Sequence, residues 1–140
     1  MSGIDLRRVV FGGLLAGLLI NISEFILNGV LFADEMNAAM AALNRPPLDN
    51  RMIGWFVLLG FALGIVTVWL YAAIRPRFGA GPGTAACAAA TTWFLAYCYP
   101  NIGAAVMGLF PTPMIVIGTV WGLAEILVAG VAGAWVYTEA

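Results

Sequence analysis

The sequence predicts an all-α integral membrane protein, a four-helix bundle with up-down topology and both termini in the cytoplasm. Three observations predict it. Of the 140 residues, 63% are hydrophobic and 9% charged, whereas a soluble domain is about 25% charged and at most about half apolar. The apolar residues gather into stretches long enough to cross a hydrocarbon core of ~30 Å. Each stretch carries small and polar residues at steps of three and four, which share one face of a helix.

Taken in order, the first span is Val9–Phe32. It is too long for the apolar region of a secretory signal and carries a glutamate, so it reads as a retained span. Residues 33–50 form the one sizeable loop, expected on the outer side. There Asp34 is placed to cap a short interfacial helix with Met36, Met40 and Leu43 on one side, ended by Pro46 and Pro47. The second span, Met52–Ile74, has no charge. A tight turn follows from Arg75 to Gly83. No charge occurs from Phe78 to Ala124, too long for one span, and Pro111-Thr112-Pro113 divides this stretch. Proline lacks an N–H and restrains the residue before it. The third span is therefore Thr84–Phe110 and the fourth Met114–Tyr137. Arg7, Arg8, Arg75 and Arg77 lie on one side of this arrangement against Arg45 and Arg51 on the other, which places both termini inside. Trp135 and Tyr137 suit the inner aromatic belt and Trp55 the outer one.

The stripes are Gly13, Gly17, Asn21, Glu24 and Asn28 in span one, and Gly60, Gly64, Thr67 and Tyr71 in span two. In span three they are Thr84, Cys87, Thr91, Cys98 and Asn101, and in span four Gly118, Gly122, Glu125 and Ala129. Three of them contain Gly-x-x-x-Gly, a spacing that lets membrane helices approach closely. Gly17, Glu24, Gly29 and Val30 align with Gly118, Glu125, Gly130 and Val131. Because those spans run in opposite directions, a repeat would be inverted.

Glu24 and Glu125 are the residues that point to function. A carboxylate at the centre of a bilayer costs ~2.5–3.5 kcal/mol on insertion scales. Both glutamates fall near mid-span at similar depth, and each lies on the small or polar stripe of its helix. All arginines lie at span ends or in loops, so no internal salt bridge is expected. The carboxyls are left to be neutral, to share a proton, or to bind a proton or cation. Asn21, Asn28, Tyr97 and Asn101 are the expected neutral hydrogen-bond partners. Pro100 is expected to kink span three and free the carbonyl of Ala96 beside Tyr97. The predicted ligand-binding set is therefore Glu24, Glu125, Asn21, Asn28, Tyr97 and Asn101, in a small pocket bounded by spans one, three and four.

Other chemistries find little support. The net charge of −1 makes no electrostatic case for nucleic acid. Histidine is absent, which removes the commonest zinc ligand and the usual axial ligand of haem. No cofactor, metal site or catalytic residue is expected. Cys87 and Cys98 lie on one helix roughly 16 Å apart, too far to bond, and read as small core residues.

The segments Ile22–Gly29, Arg75–Gly79 and Trp93–Tyr97 resemble a family of short, uncharacterised bacterial membrane proteins of four spans. The resemblance implies a bacterial inner-membrane protein and carries over no functional residue. Two readings compete. One is a buried glutamate pocket that binds or transports a proton, a small cation or an amphipathic molecule. The other is a structural or accessory subunit, or a homo-oligomer, whose polar and glycine stripes serve packing. An enzyme acting on lipid is less favoured, for want of a nucleophile–base pair.

Overall fold

The computed structural model describes residues 3–139, and all regular structure among them is helical. Helix α1, Leu6–Glu24, starts on Asp5, whose carboxylate accepts from the N–H groups of Arg7 and Arg8. It runs on without a break into a π-helical segment, Phe25–Leu31. Helix α2, Ala33–Ala42, is the short helix expected in the loop. Its cap is Phe32, however, and Asp34 with Glu35 sits in the first turn instead. There the acidic side chains meet the positive end of the helix dipole without bonding to a terminal N–H. Ala39 is buried, and Met36, Met40 and Leu43 are half-buried. Asn44 takes a left-handed φ of 57° after the last turn, and Arg45 N–H closes back on the Met40 carbonyl.

Helix α3, Asn50–Phe78, is capped by Asp49, which accepts from Met52 N–H at 2.8 Å. It passes through Pro76 in its last turn and outlasts the expected end at Ile74. The turn is accordingly shorter than expected. Gly79 and Gly81 both hold positive φ, 88° and 130°, a region open to glycine because it has no Cβ. Helix α4, Pro82–Trp93, opens with proline at its start, where no N–H is needed. It continues through a second π-helical turn, Phe94–Cys98, into α5, Tyr99–Met107. Gly108, left-handed at φ 67°, ends α5, and α6 covers Thr112–Glu139.

Three helical stretches are long and apolar enough to cross a membrane as single rods: Leu6–Leu31, Asn50–Phe78 and Thr112–Tyr137. The fourth apolar stretch is helical from Pro82 to Met107 but is segmented by its π turn. Helix α1 packs against α3 and α6, and α4 packs against the same two. α1 and α4 therefore sit on a diagonal.

Packing is uneven along the rods. The core gathers at the end that carries the N-terminus of α1, the C-terminus of α3 and the C-terminal half of α6: Val9, Ala16, Val68, Tyr71, Ala85, Ala88, Ala134 and Tyr137 are buried there. Tyr137 stacks edge-on against Tyr71, and Arg75 lies over its ring at 5.6 Å. It is thus a core residue, not the belt residue expected, whereas Trp135 and Trp55 do point outward. Toward the opposite end the helices part. α5 buries none of its residues, and Ile53 to Leu59 of α3 are mostly exposed. Large apolar side chains cover the outside, among them Phe11, Leu18, Ile22, Trp69, Val120 and Val128. A soluble monomer rarely shows continuous apolar surface beyond a few hundred Å².

The glycines of α1 and α3 meet face to face. A Cβ on Gly64 would run into the backbone of Gly13 and Gly17, and one on Gly13 into Ile65. The third Gly-x-x-x-Gly pair behaves differently: Gly118 faces open space, and Gly122 lies under the ring of Tyr97. The stripe assigned to span three is also rotated. Its buried face is Thr84, Ala85, Ala88, Ala89 and Thr92, so Cys87 and Thr91 are exposed and Cys98 is half-buried. The reason is composition: α4 is small on every side, and small size therefore does not mark its inner face.

Candidate functional site: a carboxyl pair between helices

The site lies midway along the rods, where both π-helical segments fall. Glu24 is the last residue of α1 before its π segment. Tyr97 lies within the other π turn, two residues short of α5. A π turn bonds residues five apart, one more than an α turn, and is common at functional sites. The second has an evident cause. Pro100 has no N–H to return to the Ala96 carbonyl, and Tyr99 N–H reaches back to Phe94, one residue farther than in an α-helix. The expected disturbance at Pro100 thus takes the form of a widened turn that carries Tyr97.

Glu125, on α6, is the buried charged residue of the described chain, 7% exposed. The Tyr97 hydroxyl donates to its Oε2 at 2.6 Å. Gly122, one turn earlier, makes room for the Tyr97 ring: a Cβ there would stand 2.7 Å from Cδ1. From α1, the Glu24 carboxyl and the Ser23 hydroxyl come within interaction distance of Glu125. Asn28 Nδ2 donates to Glu24 Oε2 at 2.7 Å, across one turn of the π segment. Glu125 Oε1 is buried with no hydrogen-bond donor among the described residues. The ion pair of the described chain joins Arg8 to Asp5 at the far end of α1, roughly 24 Å from Glu24 by helical rise.

Around this centre, Trp121 Nε1 of α6 donates to Ser23 Oγ of α1 at 2.8 Å. On the other side, Trp93 Nε1 donates to the Thr119 carbonyl and Asn101 Nδ2 to Thr119 Oγ1, each at 2.8 Å. These bonds tie α1 and the α4–α5 rod to α6, one on each flank of Glu125.

Of the predicted set, the structure brings together Glu24, Glu125, Asn28 and Tyr97. Asn101, on α5, donates instead to Thr119 of α6 and is bonded to neither carboxyl. Asn21 is turned toward α3: it donates to the Val57 carbonyl at 3.2 Å and lies over Gly60. Gly60 makes room for that amide. Ser23 and Trp121 were not singled out from the sequence. An indole N–H in mid-span needs an acceptor, and that need was the available signal. Glu24 and Glu125, paired in the alignment of spans one and four, come close in the structure. Their surroundings differ, however, since Gly17 abuts Phe61 and Gly118 abuts nothing.

Among the described residues no group of three His, Cys, Asp or Glu side chains converges as a metal site would need. Comparison with protein-family models, with curated proteins and with solved structures found no match to this chain.

Proposed function

We propose that the chain is a four-span inner-membrane protein with both termini cytoplasmic, and that the Glu24–Glu125 pair binds and exchanges a proton or small cation within the bilayer. The observation that carries this reading is Glu125 Oε1, a buried carboxyl oxygen without a donor beside a second carboxyl. Two carboxylates so close repel each other in a low dielectric, and one proton held between them relieves both the repulsion and the missing bond. A cation at the same point does the same.

The four-span count is supported by length. Pro82–Met107 covers roughly 35–40 Å at ~1.5 Å per residue, above the ~30 Å needed. The surface supports a lipid setting for this run too, since Leu95, Tyr99, Ile102, Val106 and Met107 are all exposed. The arginine bias of the two ends supports the orientation.

The test is infrared difference spectroscopy on purified protein. A protonated-carboxyl stretch, shifted in D2O and lost in both Glu24→Gln and Glu125→Gln, is the expected result. Absence of any such band in protein stripped of small cations would mean two ionised, hydrated carboxylates and would remove the reading.

A second reading, a homo-oligomer or accessory subunit, is favoured by one observation: α5 and the first turns of α3 bury almost nothing within the chain. Native mass measurement in mild detergent decides it, a single chain counting against assembly.

A further inference from the structure

Between α1 and α6 runs a groove of about 360 Å³, lined by Leu19, Ile22, Ser23 and Ile26 on one side and Trp121, Ala124, Glu125 and Val128 on the other. The outer walls of the groove, Ile22, Ile26 and Val128, lie on the apolar outside of the molecule and are strongly exposed. The groove is therefore entered sideways, from where lipid chains would lie, and not from either end of the rods. Its lining is apolar apart from three groups. Trp121 and Ser23 are bonded to each other, and Glu125 holds an oxygen without a donor.

We propose that this groove admits a protonated lipophilic amine from the bilayer, whose ammonium N–H donates to Glu125 Oε1 while its hydrocarbon body lies along Ile22, Ile26 and Val128. The inference rests on the carboxyl-pair reading above and adds the ligand class and the route. Three features select such a molecule. The carboxyl oxygen calls for an N–H donor, and a charged one forms the stronger bond. The walls take apolar body and exclude a fully hydrated ion. The indole of Trp121, which lines the same groove and bonds Ser23 through its N–H, supplies an aromatic ring for a cation. On binding, the ammonium keeps its own protons, and the proton shared between Glu24 and Glu125 leaves to water, so the charge of the site is conserved. Ligand and proton therefore compete for one place.

The experiment uses the full chain in lipid nanodiscs and three probes with the same tail: octylamine, octyltrimethylammonium and octanol. The readouts are the Glu125-dependent carboxyl band and Trp121 fluorescence, assigned by its loss in Trp121→Phe. Octylamine is expected to bleach the band saturably and to change the fluorescence. The trimethyl analogue, with charge but no N–H, should bind about tenfold or more weaker, the effect of losing one charge-assisted hydrogen bond. Octanol should do neither. Ala124→Leu, which narrows the groove from its outer side without touching either carboxyl, should weaken octylamine by a similar factor and keep the band. A band that is present but indifferent to octylamine overturns the amine proposal and leaves the carboxyl pair standing. Equal response to the trimethyl analogue overturns the N–H contact, and an unaffected Ala124→Leu overturns the lateral route. Lack of the band in unliganded wild type removes the carboxyl-pair reading itself.

Discussion

At Glu125 one oxygen is bonded and the other is not, and single substitutions there have opposite meanings. Tyr97→Phe removes the donor to Oε2 and leaves both oxygens bare. The loss of a bond to a buried carboxyl costs ~1.5–3 kcal/mol, so this variant should unfold more readily in a denaturant series. Glu125→Gln keeps an acceptor for Tyr97 and replaces one carboxyl of the pair by a neutral amide, so its stability should stay equal to or above that of wild type. The pair should be non-additive in a double-mutant cycle by about 1 kcal/mol, because both residues share one network. Additive behaviour would mean the Tyr97 bond is absent in lipid. Glycine shows the same contrast. Gly64→Leu must force α1 and α3 apart, since the obstacle is backbone on both sides, at a cost on the order of 1–3 kcal/mol. Gly118→Ala meets nothing within 4 Å and should be neutral. From the sequence these two glycines are alike, each one member of a Gly-x-x-x-Gly pair. What sets them apart is the neighbour, and no local pattern encodes that.

At the scale of elements, the helices and their order could be read from apolar length and from proline and glycine punctuation. The interruptions were only half legible. Pro100 announced a disturbed turn, and the structure makes it π-helical with Tyr97 inside. The π segment after Glu24 has no proline and left no mark in the sequence. Pro100→Ala restores an N–H that can reach the Ala96 carbonyl, so the widened turn should relax to α. An α turn in that place rotates Tyr97 against α5 by a residue's arc, and either the Glu125 bond or the Asn101–Thr119 bond must break. The expected outcome is a frequency shift of the Glu125 carboxyl stretch with helical content unchanged. An unmoved band would show that tertiary packing, not proline, holds the π turn. Helix faces were legible where large and small residues alternate, as in α1 and α3. They were not in α4, where alanine and threonine occur all round and Cys87 proved to face outward.

Over the whole molecule, the rods are bound tightly at the end that carries Arg7, Arg8, Arg75 and Arg77 and part toward the other, with the carboxyl pair at the divide. Membrane crossing makes a prediction at this scale. In a Cys87→Ala, Cys98→Ala background, four spans put Ala80→Cys on the same side as the termini and both Asn44→Cys and Leu109→Cys on the opposite side. A membrane-impermeant maleimide applied to intact cells and to inverted vesicles reads this directly. Leu109→Cys reacting from the same side as Ala80→Cys would mean that the Pro82–Met107 run does not cross. By itself the sequence determined that this is a helical chain suited to lipid, which stretches are long enough to cross, and that two carboxyls lie in mid-span without a cation. Those properties follow from hydrophobic length and from the cost of desolvating charge, and both act locally along the chain. Only the tertiary structure decided that the carboxyls meet, that Tyr97 and Asn28 serve them while Asn21 serves α3, and that one oxygen is left beside a groove open to the side. Those depend on how each helix is rotated about its axis, which is set by where backbones can touch: glycine against glycine, and Gly122 beneath the ring of Tyr97.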